Sequence, residues 1–189
     1  MHDKKRKYKT CKRYDVPGHV HELTFSCFRN QPLLTERRRC LWLAEAIEAA
    51  RQKHVFLLWG WVFMPTHVHL IIWPTMENYS ISKILQSIKQ PVGRKEITYL
   101  KNKHDPELEC LETGQAKPKY RFWQDGGGFD RNITDSDILR AALEYIHLNP
   151  VRKNLVETST DWEWSSARDW AGLDCDILEV DKDSFDPGM

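Results

Sequence analysis

The sequence has no Cys-x-x-C pair. Its five cysteines (Cys11, Cys27, Cys40, Cys110 and Cys175) are scattered and odd in number. That pattern excludes a zinc ribbon and a disulfide framework, and it fits reduced thiols in a cytosolic protein. No apolar run approaches the length of a membrane span, so no membrane partner is expected. The first residues are charged and lack an apolar core, so no signal peptide is expected either. No Gly-Lys-Ser/Thr follows the one glycine run, which excludes a P-loop. Internal repeats are absent. Net charge is also scarce, at only +1.

That small net charge conceals an asymmetry. Residues 1–14 carry seven Lys/Arg against Asp3, and residues 174–189 carry six acids against Lys182. Residues 15–173 are left with 20 charges of each sign. We therefore divide the chain into a basic N-terminal arm (1–14), one domain (15–173) and an acidic C-terminal tail (174–189) that is expected to fray. A basic arm can hold a polyanion at its phosphates, or it can be a solvated tail. The chain has 189 residues, 41% of them hydrophobic, enough for one domain with a real core. Eight tryptophans are many. They fit a rigid aromatic core, a base-stacking surface, or both.

In chain order, Pro17-Gly18 marks a turn and Glu22–Phe28 alternates as a strand. A helix is expected from about Glu36 to Lys53, with Thr35 as cap and Arg37, Arg38 and Arg39 facing water. Val55–Met64 and His67–Trp73 read as a hairpin across Pro65-Thr66. A second helix runs from Ile81 to about Leu100, with a basic face that includes Lys89 and Arg94. Residues 101–118 read as a polar surface insertion. Gly126-Gly127-Gly128 gives a mobile loop or a close backbone approach, bracketed by Arg121 and Arg131. The next helix, capped by Thr134 or Ser136, carries Tyr145 and Asn149 on one face and ends at Pro150. This order predicts an α+β fold with an antiparallel sheet covered by helices.

The residues that carry chemistry are His67, His69, Tyr145 and Asn149. In a strand His67 and His69 share one face, backed by Ile71, with Val68, Leu70 and Ile72 on the other. Two such imidazoles suit a divalent metal, although a bare His-x-His is more often two ordinary strand histidines. A second tripeptide, His19-Val20-His21, follows a turn and lacks a long apolar strand behind it, so we read it as a decoy. A His pair can hold Mg²⁺ or Mn²⁺ when phosphate and another oxygen complete the shell. A tyrosine near that metal can attack phosphorus and form a covalent intermediate. Asn149, one helical turn beyond Tyr145, could offer its carbonyl oxygen. Taken singly, Tyr145 and Asn149 read as a half-buried helix tyrosine and a helix-end residue.

Four segments together are more specific. Met64-Pro65-Thr66-His67-Val68-His69-Leu70-Ile71, Arg121-Phe122-Trp123-Gln124, Tyr145-Ile146-His147-Leu148-Asn149-Pro150-Val151-Arg152 and Trp164-Ser165-Ser166 occur in this order. With them the chain resembles the single-tyrosine HUH (His-hydrophobic-His) transposases, and most closely the REP-associated tyrosine transposases. The resemblance runs from about His21 to Trp170.

It implies a ferredoxin-like antiparallel sheet of the HUH-nuclease type, with helices on one face and the His pair on a central strand. It implies a divalent metal, Mg²⁺ or Mn²⁺, on His67 and His69, with Asn149 at the family's third metal-site position. It implies Tyr145 as a nucleophile on single-stranded DNA that leaves a 5′-phosphotyrosine beside palindromic hairpins. The expected activity is that of a transposase, an endonuclease and strand transferase in the cytoplasm at the nucleoid, working as monomer or homodimer. Arg121, Arg131, Arg152, Lys89 and Arg94 are expected DNA contacts on electrostatic grounds. The alternative is a domesticated, non-catalytic single-strand binder, which the basic arm and the aromatics would serve equally well. An unrelated metallohydrolase fits less well, because the histidine strand carries no Asp or Glu ligand.

Overall fold

Four strands form the centre of the molecule in a computed structural model that describes residues 14–174 and 176–185. The basic arm, Tyr14 apart, lies outside the described residues. The strands are β1 (Val20–Ser26), β2 (Phe56–Met64), β3 (His67–Pro74) and β4 (Phe129–Ile133). Helix α1 (Arg37–His54) follows β1, and α2 (Ile81–Lys103) with the short α3 (Glu107–Cys110) follows β3. After β4 come α4 (Ser136–Arg152) and the short α5 (Ala167–Trp170). The sheet is antiparallel throughout, in the order β2-β3-β1-β4. This β-α-β-β-α-β succession is the ferredoxin-like arrangement. β2 and β3 form the expected hairpin, with Met64 paired to His67 across Pro65-Thr66.

Strand alternation sorts the side chains onto two faces. Leu23, Phe25, Trp61, Phe63, Val68, Leu70 and Ile72 face α1 and α2 and join the larger core. Val20, Trp59, Val62, Met64, Ile71 and Ile133 pack instead with Leu139, Ala142 and Ile146 of α4. The expectation of helices on one face therefore holds for α1 and α2 and fails for α4. The cause is the apolar character of both sheet faces, which leaves a second layer to cover. A β-bulge at Trp59 and the bare backbone of Gly60 admit α4 closely. A Cβ on Gly60 would lie 2.6 Å from Leu143 Cδ1 and 3.0 Å from Ile146 Cδ1. Burial of Leu139 and Ile146 stabilises this docking by roughly 1.5–3 kcal/mol each.

Several local expectations change. Asp135, rather than Thr134 or Ser136, caps α4 by accepting from the Asp137 and Ile138 amides. Pro150 does not end α4, which continues to Arg152. Arg39 is buried, donating to Glu96, the Leu33 carbonyl and Glu107, and Arg38 joins it on Glu96. Helix α2 supplies the carboxylate that makes burial of these arginines affordable.

The acidic tail does not fray over its described part. Leu178 and Val180 enter the core, Trp61 Nε1 donates to the Leu178 carbonyl, and Trp59 Nε1 donates to Ser184 Oγ. Asp181 accepts from the Leu58 amide and from Arg51, so it closes the outer edge of β2.

Candidate active site

His67 and His69 lie on the sheet face toward α4, in the predicted phase. Their rings are 4.8 Å apart, centroid to centroid. The last two turns of α4 come over them. Tyr145, Asn149 and Arg152 are spaced i, i+4 and i+7, so they form one stripe along the helix. Tyr145 meets His69 edge to face at 6.4 Å, and Asn149 Nδ2 lies 3.4 Å from His69 Nε2. Arg152 lays its guanidinium over the Tyr145 ring, 4.8 Å from the centroid. Asn149 is buried, whereas Tyr145 is 47% exposed and open to a large substrate.

Hydrogen bonds decide how the imidazoles face. His69 Nδ1 lies 2.9 Å from Thr24 Oγ1, and His67 Nδ1 lies 2.9 Å from Thr66 Oγ1. The Asn149 amide donates to His69 Nε2, so that nitrogen is the acceptor and the ring proton sits on Nδ1. Thr24 Oγ1 accepts that proton's bond and fixes the ring. Burial also holds the imidazoles neutral. It pushes the His69 pKa down to about 3, with His67 nearby adding to the effect. Burial and then Lys153 lower that of His67. A neutral imidazole whose Nδ1 is engaged and whose Nε2 keeps its lone pair is the metal-ligating form, and at His69 that lone pair meets the Asn149 amide.

Two imidazole nitrogens and a carboxamide are the donors the site offers. Among the described residues no group of three His, Cys, Asp or Glu could hold a metal. The third donor would be Asn149, whose carboxamide presents an oxygen after a half-turn of its terminal bond. Such a set fits a divalent ion with coordination positions left for phosphate oxygens.

The other expected residues divide. Arg152 is at the site. Arg131 lies on the same sheet face but is tied to the buried Glu22 at 2.7 Å. Lys89, Arg94 and Arg121 line a separate groove between α2 and the 118–127 segment, where Arg121 pairs with Asp125. The decoy reading of His19-Val20-His21 agrees with the structure. His21 is fully buried between Asp130 (2.8 Å) and the Tyr79 hydroxyl (2.7 Å), and His19 meets Asn132.

The sequence reading leaves Thr24, Thr66 and Lys153 out of the site. Thr66 is detectable as the hydroxyl next to His67. Thr24 is detectable only once β1 is set in register with β3, where it pairs with His69. Gly128 has φ +71°, and a Cβ there would lie 2.1 Å from the Thr24 carbonyl oxygen. The close approach expected of the glycine run is thus real at Gly128, and it falls on the residue that holds His69.

No family model matches the chain. A Haemophilus influenzae protein whose name contains the words REP-associated tyrosine transposase is 31% identical over 110 residues. That alignment covers 54% of this chain and 54% of the relative, so the chain spans about half the length of the curated relative it matches. A solved REP-associated tyrosine transposase bound to a REP hairpin superposes with a TM-score of 0.64. It is 24% identical, and the match covers 94% of this chain and 95% of that one. The chain is similar to the REP-associated tyrosine transposases. The likeness is one of sequence over half the chain and of fold over nearly all of it. Among the described residues no helix is long and apolar enough to cross a membrane.

Proposed function

We propose that the chain is a metal-dependent single-stranded DNA endonuclease and strand transferase, a transposase that cuts beside hairpins. The observation that carries this reading is the meeting of Tyr145 and Asn149 with His69 inside one chain. A plain binding protein has no chemical need for a neutral His pair, a carboxamide and an open tyrosine in one place. The similarity to REP-associated tyrosine transposases supports the same reading, and hairpin DNA is the partner we propose.

In this mechanism His67, His69 and Asn149 are the residues that would hold Mg²⁺ or Mn²⁺. The ion supplies Lewis-acid polarisation of a phosphoryl oxygen. Helix α4 carries nucleophile and third donor together, so positioning is built into one rigid element. Tyr145 Oη loses its proton and forms a bond to phosphorus. The bond from phosphorus to O3′ breaks, and O3′ takes up a proton. The bond energy stays in the 5′-phosphotyrosine, which a 3′-hydroxyl can attack to rejoin a strand. Arg152, beside the Tyr145 ring, meets the phosphate with a fixed positive charge. Both halves of the site come from one chain, so a monomer is sufficient for the chemistry.

The test uses a hairpin oligonucleotide labelled separately at each end and incubated with Mn²⁺. The 3′-labelled fragment is expected to stay on the protein through a denaturing gel. The 5′-labelled fragment should leave with a 3′-hydroxyl that a polymerase extends, and EDTA should stop both. An adduct on the 5′-labelled fragment, or cleavage without adduct, contradicts the reading.

A further inference from the structure

Phe129 opens β4, the edge strand beside β1, and its side chain is 49% exposed. Alternation along β4 puts Phe129, Arg131 and Ile133 on one face, and Ile133 packs in the α4-side core. Phe129 therefore lies on the face that carries the His pair. Its cross-strand partner is Thr24, whose other partner is His69. One row thus runs across the sheet from His69 to Thr24 to Phe129, two strand spacings or roughly 10 Å long. Among the described residues the ring packs with neither apolar core. An apolar ring left half in water beside an open site gains little from the fold itself.

Two further features aim it. Gly128 lets the chain run against the Thr24 backbone just before Phe129, which fixes where the ring begins. Arg131, two residues on, is half-exposed and held along the face by Glu22. A flat apolar ring with an anchored cation beside it, on an open strand face, is how sheet surfaces take unpaired bases and their phosphates. The positive charge around the site, from Arg131, Arg152 and Lys153, matches a polyanion.

We infer that Phe129 is a stacking platform for one unpaired base of the DNA strand that passes through the His67/His69/Tyr145 site, with Arg131 beside it for the flanking phosphate. This inference rests on the DNA-processing reading above and names a contact within it. The base rather than the backbone is the ligand, so sequence preference at this contact is weak.

The test measures binding without metal, so cleavage plays no part. The probe is a fluorescein-labelled DNA hairpin with unpaired oligodeoxyadenylate arms of about ten nucleotides, within the span of single-strand binding surfaces. A second set of probes replaces one arm nucleotide at a time with an abasic residue. Phe129→Ala is expected to weaken binding roughly tenfold or more, and Phe129→Trp to retain it. One abasic position should weaken binding to the unaltered chain by the same factor and cost Phe129→Ala nothing further.

Binding by Phe129→Ala within about twofold of the unaltered chain overturns the inference. So does a loss that Phe129→Trp fails to rescue, or an abasic penalty that is undiminished in Phe129→Ala. If the unaltered chain binds no hairpin, both readings fall. If binding behaves as stated but no Tyr145 adduct forms with Mn²⁺, only the catalytic reading falls.

Discussion

The chain writes His-Val-His twice, and the two copies end in opposite surroundings. In β3, His67 and His69 face α4, with a threonine hydroxyl on each Nδ1. In the first copy His19 precedes β1, and His21 points into the α1/α2 side of the sheet. There both His21 nitrogens are taken, by Asp130 and Tyr79. The pairing of His21 with Ile72 places them on one face, one residue out of phase with His69. A single step of register thus separates the proposed ligand pair from a structural pin.

The sharpest way to break this comparison is to delete one histidine from each copy. His69→Ala is expected to lower metal-dependent adduct formation by on the order of 10³-fold while the melting temperature holds. Single-turnover assays and thermal denaturation read the two effects. His21→Ala should do the reverse. It removes the His21 partner of the buried Asp130 carboxylate, costs about 3 kcal/mol, and lowers the melting temperature by roughly 6–12 °C. Its folded fraction should keep near-normal cleavage below that transition. A stable His21→Ala that cannot cleave would erase the distinction.

A comparable effect belongs to pH. Burial pushes the pKa of His147 down to about 4 from 6.5, and that of His69 to about 3. The unfolded chain then binds more protons below pH 6.5 than the folded one. Stability is full above about pH 6.5 and falls as pH drops toward 4, by about 3 kcal/mol for His147. Urea titrations across this range check it. His147→Gln, which can still meet Ser166, should flatten the slope, and an unchanged slope would refute the assignment.

The smallest expected change is at Thr24, which ties the two strands together. Thr24→Val keeps the shape of the side chain and removes the partner of His69 Nδ1. Metal affinity should fall roughly 10- to 100-fold, read by Mn²⁺ titration, with little loss of stability.

What was legible in the sequence was local. Alternation gave the phase of His67 and His69, and helical spacing put Tyr145 and Asn149 on one stripe. The hairpin was marked by Pro65-Thr66. What escaped depends on contacts distant in sequence. Five residues after three glycines do not announce a strand, and β4 exists because β1 offers it an edge. Arg39 reads as a surface residue until Glu96 and Glu107 arrive from α2 and α3. The tail's acids hide the apolar anchors Leu178, Val180 and Phe185, and the Phe185 ring on Trp59 and the Leu178 carbonyl on Trp61 both reach more than a hundred positions back. Helix α4 could be recognised from its apolar stripe, but its side of the sheet could not. That side follows from Gly60 and the bulge at Trp59.

The β3 histidines and the α4 tyrosine meet in one place, and in the proposed mechanism Tyr145 is the nucleophile. Tyr145→Phe removes one oxygen from an exposed ring and leaves His67, His69 and Asn149 in place. With hairpin DNA and Mn²⁺, the unaltered chain is expected to form a covalent protein–DNA species. Tyr145→Phe should form none, although it binds the same hairpin with similar affinity. A covalent species of undiminished yield from Tyr145→Phe would contradict the account.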